Sequence, residues 1–180
     1  GLGASVKVFD NSQSRLRRLQ TTLGTRIFTS VIQPKVLAKS LMRADVVIGA
    51  LRAPLGRTPC VVTEEMVSNM KEGSVIVDVS IDQGGCFETS QITNHDKPTF
   101  VKHGVIHYCV PNIPSRVSRT ASFALSNIFS PILVEMGVKG GCKEMIISDP
   151  GFRNGVYIYK GTLTSEVLGK VFDLRYKDIE

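Results

Sequence analysis

Val77-Asp78-Val79-Ser80-Ile81-Asp82-Gln83-Gly84-Gly85-Cys86-Phe87-Glu88 is a segment in which an apolar run stops at an acid, an amide and two glycines. The β-branched run predicts a strand buried on both faces, and the glycines allow a sharp turn or a close approach to a ligand. Because ligands bind at the carboxyl ends of strands in parallel α/β sheets, the segment predicts a strand that delivers a carboxylate to a site. The alternative is a polar exit from a strand, with glycines that serve only the turn.

Apolar runs alternate with helix-period segments through the first two thirds of the chain. Strands are predicted at residues 5–9, 26–29, 45–50, 74–80 and 105–110. Helices are predicted at residues 12–23, 34–43 and 64–71, where Leu, Val or Met recur at spacings of three or four. Asn11 and Thr63 are candidate caps for two of these helices. Strands that alternate with helices of about ten residues predict crossover units and a parallel sheet in an α/β fold.

The pattern changes at Pro114. Residues 115–136 are compatible with one long helix that Pro131 should kink. A glycine loop, a loop around Asp149-Pro150-Gly151, a short hairpin near residues 155–159 and a last helix at 164–172 follow. We therefore predict two parts, residues 1–113 and residues 114–180.

Composition narrows the class of protein. The chain has 180 residues, of which 42% are hydrophobic and 21% charged, so a folded globular protein is expected. No apolar run approaches the length of about 20 residues that a membrane helix needs, and no leader pattern is present, which predicts a soluble, non-exported protein. The net charge is +6, and the densest basic run, Arg15-Leu16-Arg17-Arg18, lacks interleaved aromatics. A solvated helix face is favoured there over a nucleic-acid site.

The cysteines and histidines do not form a ligand pattern. Four cysteines are widely spaced without a CxxC pair, which predicts reduced thiols and no metal site. His107 lies in a predicted strand, and His95 and His103 lie in predicted loops. Hydrogen-bonded or solvated histidines are therefore expected rather than catalytic ones.

Asp10 closes the first predicted strand. In a dinucleotide-binding fold, the acid that closes the second strand binds the adenosine ribose and repels a 2′-phosphate. That acid lies about 20 residues beyond a glycine-rich phosphate loop, yet only nine residues precede Asp10, and no strand precedes Gly1-Leu2-Gly3. The sequence therefore predicts an incomplete doubly wound, Rossmann-type sheet that lacks its first strand. The alternative is that Asp10 only caps the helix that begins near Ser12.

Four segments together resemble the carboxyl-terminal half of bacterial alanine dehydrogenases, nearly throughout the chain to Met136. They are residues 1–10, 44–50, 77–88 and 107–114. Residues 81–88 are the specific part, since the related proton-translocating transhydrogenase usually replaces the acid-amide pair there. The resemblance implies reversible oxidative deamination of L-alanine to pyruvate and ammonium with NAD.

The resemblance also implies cofactor-binding residues. Asp10 matches the family's ribose-binding acid, and Arg15 matches a basic side chain near the adenosine. Leu51 falls where the family lines the cofactor cleft after its fourth strand.

A second set of residues corresponds to the reacting end of the cofactor. Ile81 and Asp82 match the pair that faces the nicotinamide ribose and the reacting centre. Asn112 and Ile113 match the family's Asn-Met step beside the nicotinamide. Ile in place of Met preserves bulk but loses a flexible thioether, so Asn112 is the firmer contact.

Asp82 is the expected catalytic residue. Hydride transfer leaves an iminium at the substrate carbon, and the addition of water to it requires a group that moves protons. The family's catalytic Lys and His belong to an amino-terminal domain, so this chain alone is expected to be inactive. The resemblance further implies that residues 1–113 are a partial NAD-binding domain and that residues 114–180 comprise a connecting helix over 115–136 and the carboxyl-terminal part of the substrate domain. It also implies a homo-oligomer, specifically a hexamer. Together with the composition, we expect a cytoplasmic protein without a membrane or nucleic-acid partner.

Two other functions share this fold. One is the soluble NAD-binding domain of a nicotinamide nucleotide transhydrogenase, which a membrane-anchoring continuation would favour. The other is a non-catalytic nucleotide-binding module, in which Asp82-Gln83-Gly84-Gly85 would have no use.

The predicted strand order has a structural consequence. In the order 3-2-1-4-5-6, a missing first strand leaves the strands at residues 5–9 and 45–50 facing an empty slot. Unpaired apolar edges are costly. We expect an additional amino-terminal piece, pairing with another copy, or closure of the sheet.

Overall fold

The computed structural model describes residues 2–53 and 56–179, so Gly1 of the opening segment lies outside the described residues. The chain divides into two compact units. The first comprises Gly1–Leu51 and Thr58–Pro111, and the second comprises Arg52–Arg57 and Asn112–Glu180.

The first unit alternates strands and helices as the sequence predicts. Its elements are β1 (Lys7–Phe9), α1 (Gln13–Leu23), β2 (Phe28–Ser30), α2 (Pro34–Leu41), β3 (Val46–Gly49), α3 (Glu64–Ser68), β4 (Val75–Asp78), a 3₁₀ turn (Val79–Gln83), β5 (Thr99–Lys102) and β6 (Val105–Tyr108). Ser12, not Asn11, caps α1 by accepting from the backbone N–H of Arg15. Thr63 caps α3 as predicted.

The strands form two sheets in the first unit. β1 pairs in parallel with β2, and β3, β4 and β6 are parallel neighbours in the order β3-β4-β6. These pairs are the neighbours expected for the order 3-2-1-4-5-6 with the slot of the first strand open. Among the described residues no strand joins β1 to β3, so of the three expected outcomes the closure of the sheet on itself is not observed, and the other two stay predictions.

β5 is an element that the sequence-based prediction missed. It pairs antiparallel with β6 across a two-residue turn in which His103 and Gly104 have φ angles of 53° and 72°. Two successive positive φ angles define the tight hairpin turn that favours glycine. The apolar pair Phe100-Val101 before this turn was the available signal.

The core of the first unit lies between the helices and both sheets. Its buried members are Leu37, Leu41, Val62, Val67, Met70, Ile76, Cys86, Phe87 and Val105, and Phe9 and Val47 pack against them. Gly49 ends β3 where a Cβ atom would lie 2.4 Å from both the Cys86 Sγ and the Phe87 ring. A glycine is therefore needed for the close approach of β3 to the segment that follows β4.

The second unit is mainly helical. Its elements are a 3₁₀ turn (Ile113–Val117), α4 (Ser118–Val138), α5 (Cys142–Ser148), α6 (Pro150–Asn154), β7 (Ile158–Tyr159), β8 (Thr162–Leu163) and α7 (Glu166–Phe172). The long helix is confirmed, but it begins as a 3₁₀ turn and continues through Pro131. The predicted loop around Asp149 is wrong, because the Asp149 carboxylate accepts from Phe152 N–H and starts α6 with Pro150 as its first residue.

The α4 helix exposes apolar side chains. Phe123, Leu125, Ile128, Phe129, Leu133 and Val134 are all exposed. The helical span Ile113–Val138 has 26 residues, and an 18-residue stretch of it reaches a mean hydropathy of 1.4, so by length and composition alone it is long and apolar enough to cross a membrane. The expectation that no apolar run approaches that length is therefore wrong for this segment.

Candidate functional site

The parallel strands place the predicted chemistry at one sheet edge. β3 ends before Leu51, and β4 ends at the 3₁₀ turn Val79–Gln83, which we call the Asp82 turn. Ser80 Oγ donates to the Leu51 carbonyl over 2.7 Å and ties the two strand ends together. The structure thus brings Leu51 close to the turn that holds Ile81 and Asp82.

The Asp82 turn presents one acid outward. Asp82 is exposed, whereas the neighbouring Ile81 is only 4% exposed and anchors the turn in the unit. Thr58 N–H donates to the Gln83 carbonyl over 2.8 Å, and Gly84 ends the turn with a φ angle of 97°. Asp82 is therefore free to meet a ligand, and Ile81 contributes mainly packing.

A second acid, Asp78, lies beneath the turn and was not predicted as a functional residue. It is fully buried, and it accepts hydrogen bonds from Ser80 N–H (3.0 Å), Cys86 N–H (3.1 Å) and Ser90 Oγ (2.6 Å). A buried carboxylate needs donors, and here they come from residues 80, 86 and 90, a spacing that does not mark the arrangement in the sequence.

Asp10 and Arg15 lie together at the end of β1. One carboxylate oxygen of Asp10 accepts from Ser12 N–H over 2.7 Å, and the other lies 3.9 Å from Arg15 Nη1. The Asp10 side chain is 28% exposed. Asp10 therefore supports the start of α1 and also keeps part of its carboxylate accessible.

Asn112 and Ile113 belong to the second unit. Asn112 is exposed and has a left-handed backbone, with φ and ψ angles of 53° and 50°. Its carbonyl accepts from Ser115 N–H over 3.0 Å, and Ile113 begins the 3₁₀ turn.

Two thiols of the first unit, those of Cys86 and Cys109, are buried and stay protonated. Burial, followed by the nearby Asp78 carboxylate, raises the pKa of Cys86 to about 12. Burial also raises the pKa of Cys109. These values leave Cys86 and Cys109 poor nucleophiles at neutral pH. Across residues 2–53 and 56–179, no group of three or more His, Cys, Asp or Glu side chains is arranged to hold a metal ion.

His107 is fully buried and hydrogen-bonded at both ring nitrogens. Nδ1 lies 2.9 Å from the Val105 carbonyl, which requires a proton on Nδ1, so Nε2 accepts from the Thr89 hydroxyl over 2.8 Å. The ring also stacks on Phe100 at 4.8 Å. These contacts describe a structural histidine, as the sequence predicted.

We expect His107 to make the chain less stable in mild acid. Burial lowers the pKa of His107 in the folded chain, so below about pH 6.5 the unfolded chain takes up a proton that the folded chain resists. The free energy of unfolding should fall as pH drops from about 6.5 towards the folded pKa. Urea titrations between pH 7.5 and 5 measure this slope.

The matched variants are His107→Gln and His103→Gln. His103 lies on the same hairpin with an exposed ring. His107→Gln should flatten the slope, and His103→Gln should retain it. An unchanged slope in His107→Gln would assign the acid sensitivity to other groups.

The fold and the strand-end site define a doubly wound α/β domain of the Rossmann type. The chain belongs to the alanine dehydrogenase/PNT C-terminal domain family, whose model matches residues 1–166. Alanine dehydrogenase 2 of Staphylococcus aureus (strain USA300) is 41% identical over 181 aligned residues, covering 100% of this chain and 48% of the relative. The chain therefore spans about half the length of the curated relatives that it matches.

Solved structures agree with this assignment. An L-alanine dehydrogenase superimposes with a TM-score of 0.86 and 37% identity, covering 96% of this chain and 47% of that structure. A transhydrogenase from Sinorhizobium meliloti superimposes with a TM-score of 0.64 and 27% identity, covering 75% of this chain and 38% of that structure.

Proposed function

We propose that this chain is the carboxyl-terminal part of an NAD-dependent alanine dehydrogenase, which interconverts L-alanine with pyruvate and ammonium. The observation that carries the proposal is the exposed Asp82 on a turn fixed at the carboxyl edge of the parallel strands. The family membership and the 41% identity to an alanine dehydrogenase support the choice of reaction.

Residues of this chain fit the cofactor. The partly exposed Asp10 carboxylate has the acceptor oxygens that bind ribose hydroxyls, and its charge disfavours a 2′-phosphate. Arg15 beside it would lie near the adenosine. Leu51 and the Asp82 turn would line the cleft, with Asn112 and Ile113 at the nicotinamide. When bound, NAD supplies the hydride acceptor.

Asp82 is proposed to move protons at the substrate. After the hydride has left, water must add to the substrate iminium and give up a proton, for which an exposed carboxylate is suited. The family resemblance implies that the Lys and His that would hold the substrate carboxylate and keto oxygen lie outside these 180 residues. The chain by itself should therefore be inactive.

The relatives rank the alternative functions. In the superposed structures, identity falls from 37% with the L-alanine dehydrogenase to 27% with the transhydrogenase, which favours the former. A non-catalytic nucleotide-binding module would not need an outward-facing acid on a tightly held turn.

We also propose that the complete protein is a cytoplasmic homo-oligomer, a hexamer by resemblance, with no membrane or nucleic-acid partner. The exposed apolar side chains of α4 are expected to be covered in the complete protein, and we propose that other protein chains cover them. Arg15, Arg17 and Arg18 are exposed around the buried Leu16, as on a solvated helix face.

Calorimetric titration tests the cofactor assignment. The polypeptide titrated is the 180-residue chain, in which we expect weak binding of NAD, because its residues do not include the strand, glycine-rich loop and helix that hold a pyrophosphate. Dissociation constants should be in the millimolar range, on the order of −4 kcal/mol, or too weak to measure. Any binding should favour NAD over NADP because Asp10 repels a 2′-phosphate.

The binding of NAD and NADP is also compared in a fusion of this chain to the amino-terminal half of the S. aureus Alanine dehydrogenase 2. We call this protein the fusion. There Asp10→Asn should narrow the preference for NAD, and Asp45→Asn should leave it unchanged, because Asp45 precedes β3 and pairs with Lys71. Micromolar binding by the chain alone, or a preference for NADP, would contradict the assignment.

A further inference from the structure

Asp78 accepts hydrogen bonds from the backbone on both sides of Asp82. Its Oδ1 accepts from Ser80 N–H, before Asp82, and its Oδ2 accepts from Cys86 N–H, after Asp82. The Ser90 hydroxyl donates to the same Oδ2. One buried side chain thus brackets the exposed acid, and we call these three bonds the Asp78 clasp.

The surrounding backbone is shaped to admit the clasp. A Cβ atom at Gly85 would lie 2.6 Å from Asp78 Oδ2, and Gly85 has a φ angle of 75° that side chains rarely adopt. Gly85 is thus required by both space and conformation. The two glycines after the acid-amide pair, Gly84 and Gly85, thus allow the backbone to return to Asp78.

Burying the Asp78 carboxylate costs free energy, so the Asp78 clasp is not explained by a gain in stability. Asp78 is fully buried, and in the part of the chain that the structure describes no Lys, Arg or His forms an ion pair with it. Burying an acid without a cation is unfavourable even when backbone and hydroxyl donors satisfy it. What the carboxylate provides is a fixed geometry, because both of its oxygens accept hydrogen bonds. An asparagine at residue 78 would point its NH₂ group at one of these hydrogen-bond donors.

We propose that Asp78 is the positioning residue of the active centre, which fixes the Asp82 turn so that the Asp82 carboxylate meets the substrate. This inference rests on the proposed function. Asp82 lies at the surface, and its side chain receives no hydrogen bond or ion pair from the other described residues. Its placement is therefore set through the backbone, which Asp78 holds at Ser80 within the turn and at Cys86 beyond its end.

A double-mutant cycle in the fusion tests the proposal. Asp78→Asn should lower kcat by about ten- to a hundredfold, because a misplacement near 1 Å costs up to that much. The KM for NAD should change less than about threefold, since uniform binding is retained. In an Asp82→Asn background, the same change should lower kcat by less than about threefold, because the clasp acts through Asp82.

Two further variants separate positioning from general damage. Ser90→Ala removes one bond of the clasp and should lower kcat less than Asp78→Asn does. Asp45→Asn makes the same chemical change at an exposed acid and should leave kcat unaltered. Equal losses from Asp78→Asn in both backgrounds would mean that Asp78 only supports folding, and would overturn the proposal.

Amide hydrogen exchange on the chain itself gives a readout that needs no activity. Asp78→Asn should speed exchange at Ser80 and Cys86, while Ile76 and Val105 in the core strands keep their protection. Unchanged protection at Ser80 and Cys86 would overturn the clasp. A fusion that is inactive before any substitution would count against the proposed function. In that case, amide hydrogen exchange would still test whether Asp78 holds the backbone at Ser80 and Cys86.

Discussion

Asp82→Asn in the fusion should lower the turnover of L-alanine by about a hundredfold to ten-thousandfold, the usual cost of removing a positioned proton-transfer group. Asparagine keeps the size and exposure of the side chain but cannot accept and return a proton. Steady-state rates of NAD reduction measure the loss, with circular dichroism as the check on folding.

The control for this change is Asp45→Asn, an acid-to-amide change at the opposite end of β3, where the acid pairs with Lys71 over 2.7 Å. It should retain full turnover. A loss below about tenfold in a folded Asp82→Asn fusion would show that Asp82 is a structural residue. The alternative interpretation of residues 77–88, a polar exit from a strand with glycines that serve only the turn, would then be correct.

The sequence predicted the parallel strands and the site loop well because both depend on local patterns. β3, β4 and β6 are apolar runs bounded by polar residues, and the helices between β1 and β4 show clear spacings of apolar residues. The family resemblance rests on the residues that end these strands. It follows that Asp10, Leu51 and Asp82 were found at strand ends, where the structure has them.

The elements that the sequence did not predict, β5 and α6, depend on pairing with another strand or on how a helix begins. β5 is four residues long and takes its identity from pairing with β6 across the turn at His103 and Gly104. α6 begins with proline after an aspartate, a combination also common in loops.

Asp78 was overlooked for a related reason. A strand acid one residue before a turn has no distinctive spacing, and its function depends on Ser90, twelve residues further along the chain. Only the folded chain brings these groups together. The site could thus be located from sequence, whereas the support of its main acid could not.

The open slot between β1 and β3 should make the isolated chain associate with itself. Val6, Val46 and Ile48 are 50%, 58% and 65% exposed, and within the described residues β1 pairs only with β2, and β3 only with β4. Exposed apolar strands with unpaired backbone groups are templates for another chain. Sedimentation velocity over a concentration series should reveal species larger than one chain.

Two lysine variants identify the surface responsible. Ile48→Lys places a charge on the open β3 edge and should shift the association towards monomer, as charges on edge strands do. Ile92→Lys changes a side chain that is 73% exposed but lies outside the strands, and should leave association as it was. Joining the amino-terminal half in the fusion should remove association through these edges, because a strand in the slot satisfies both of them at once. A chain that stays monomeric at high concentration with both edges open would show that this assessment of edge cost, or of the strand order across the slot, is wrong.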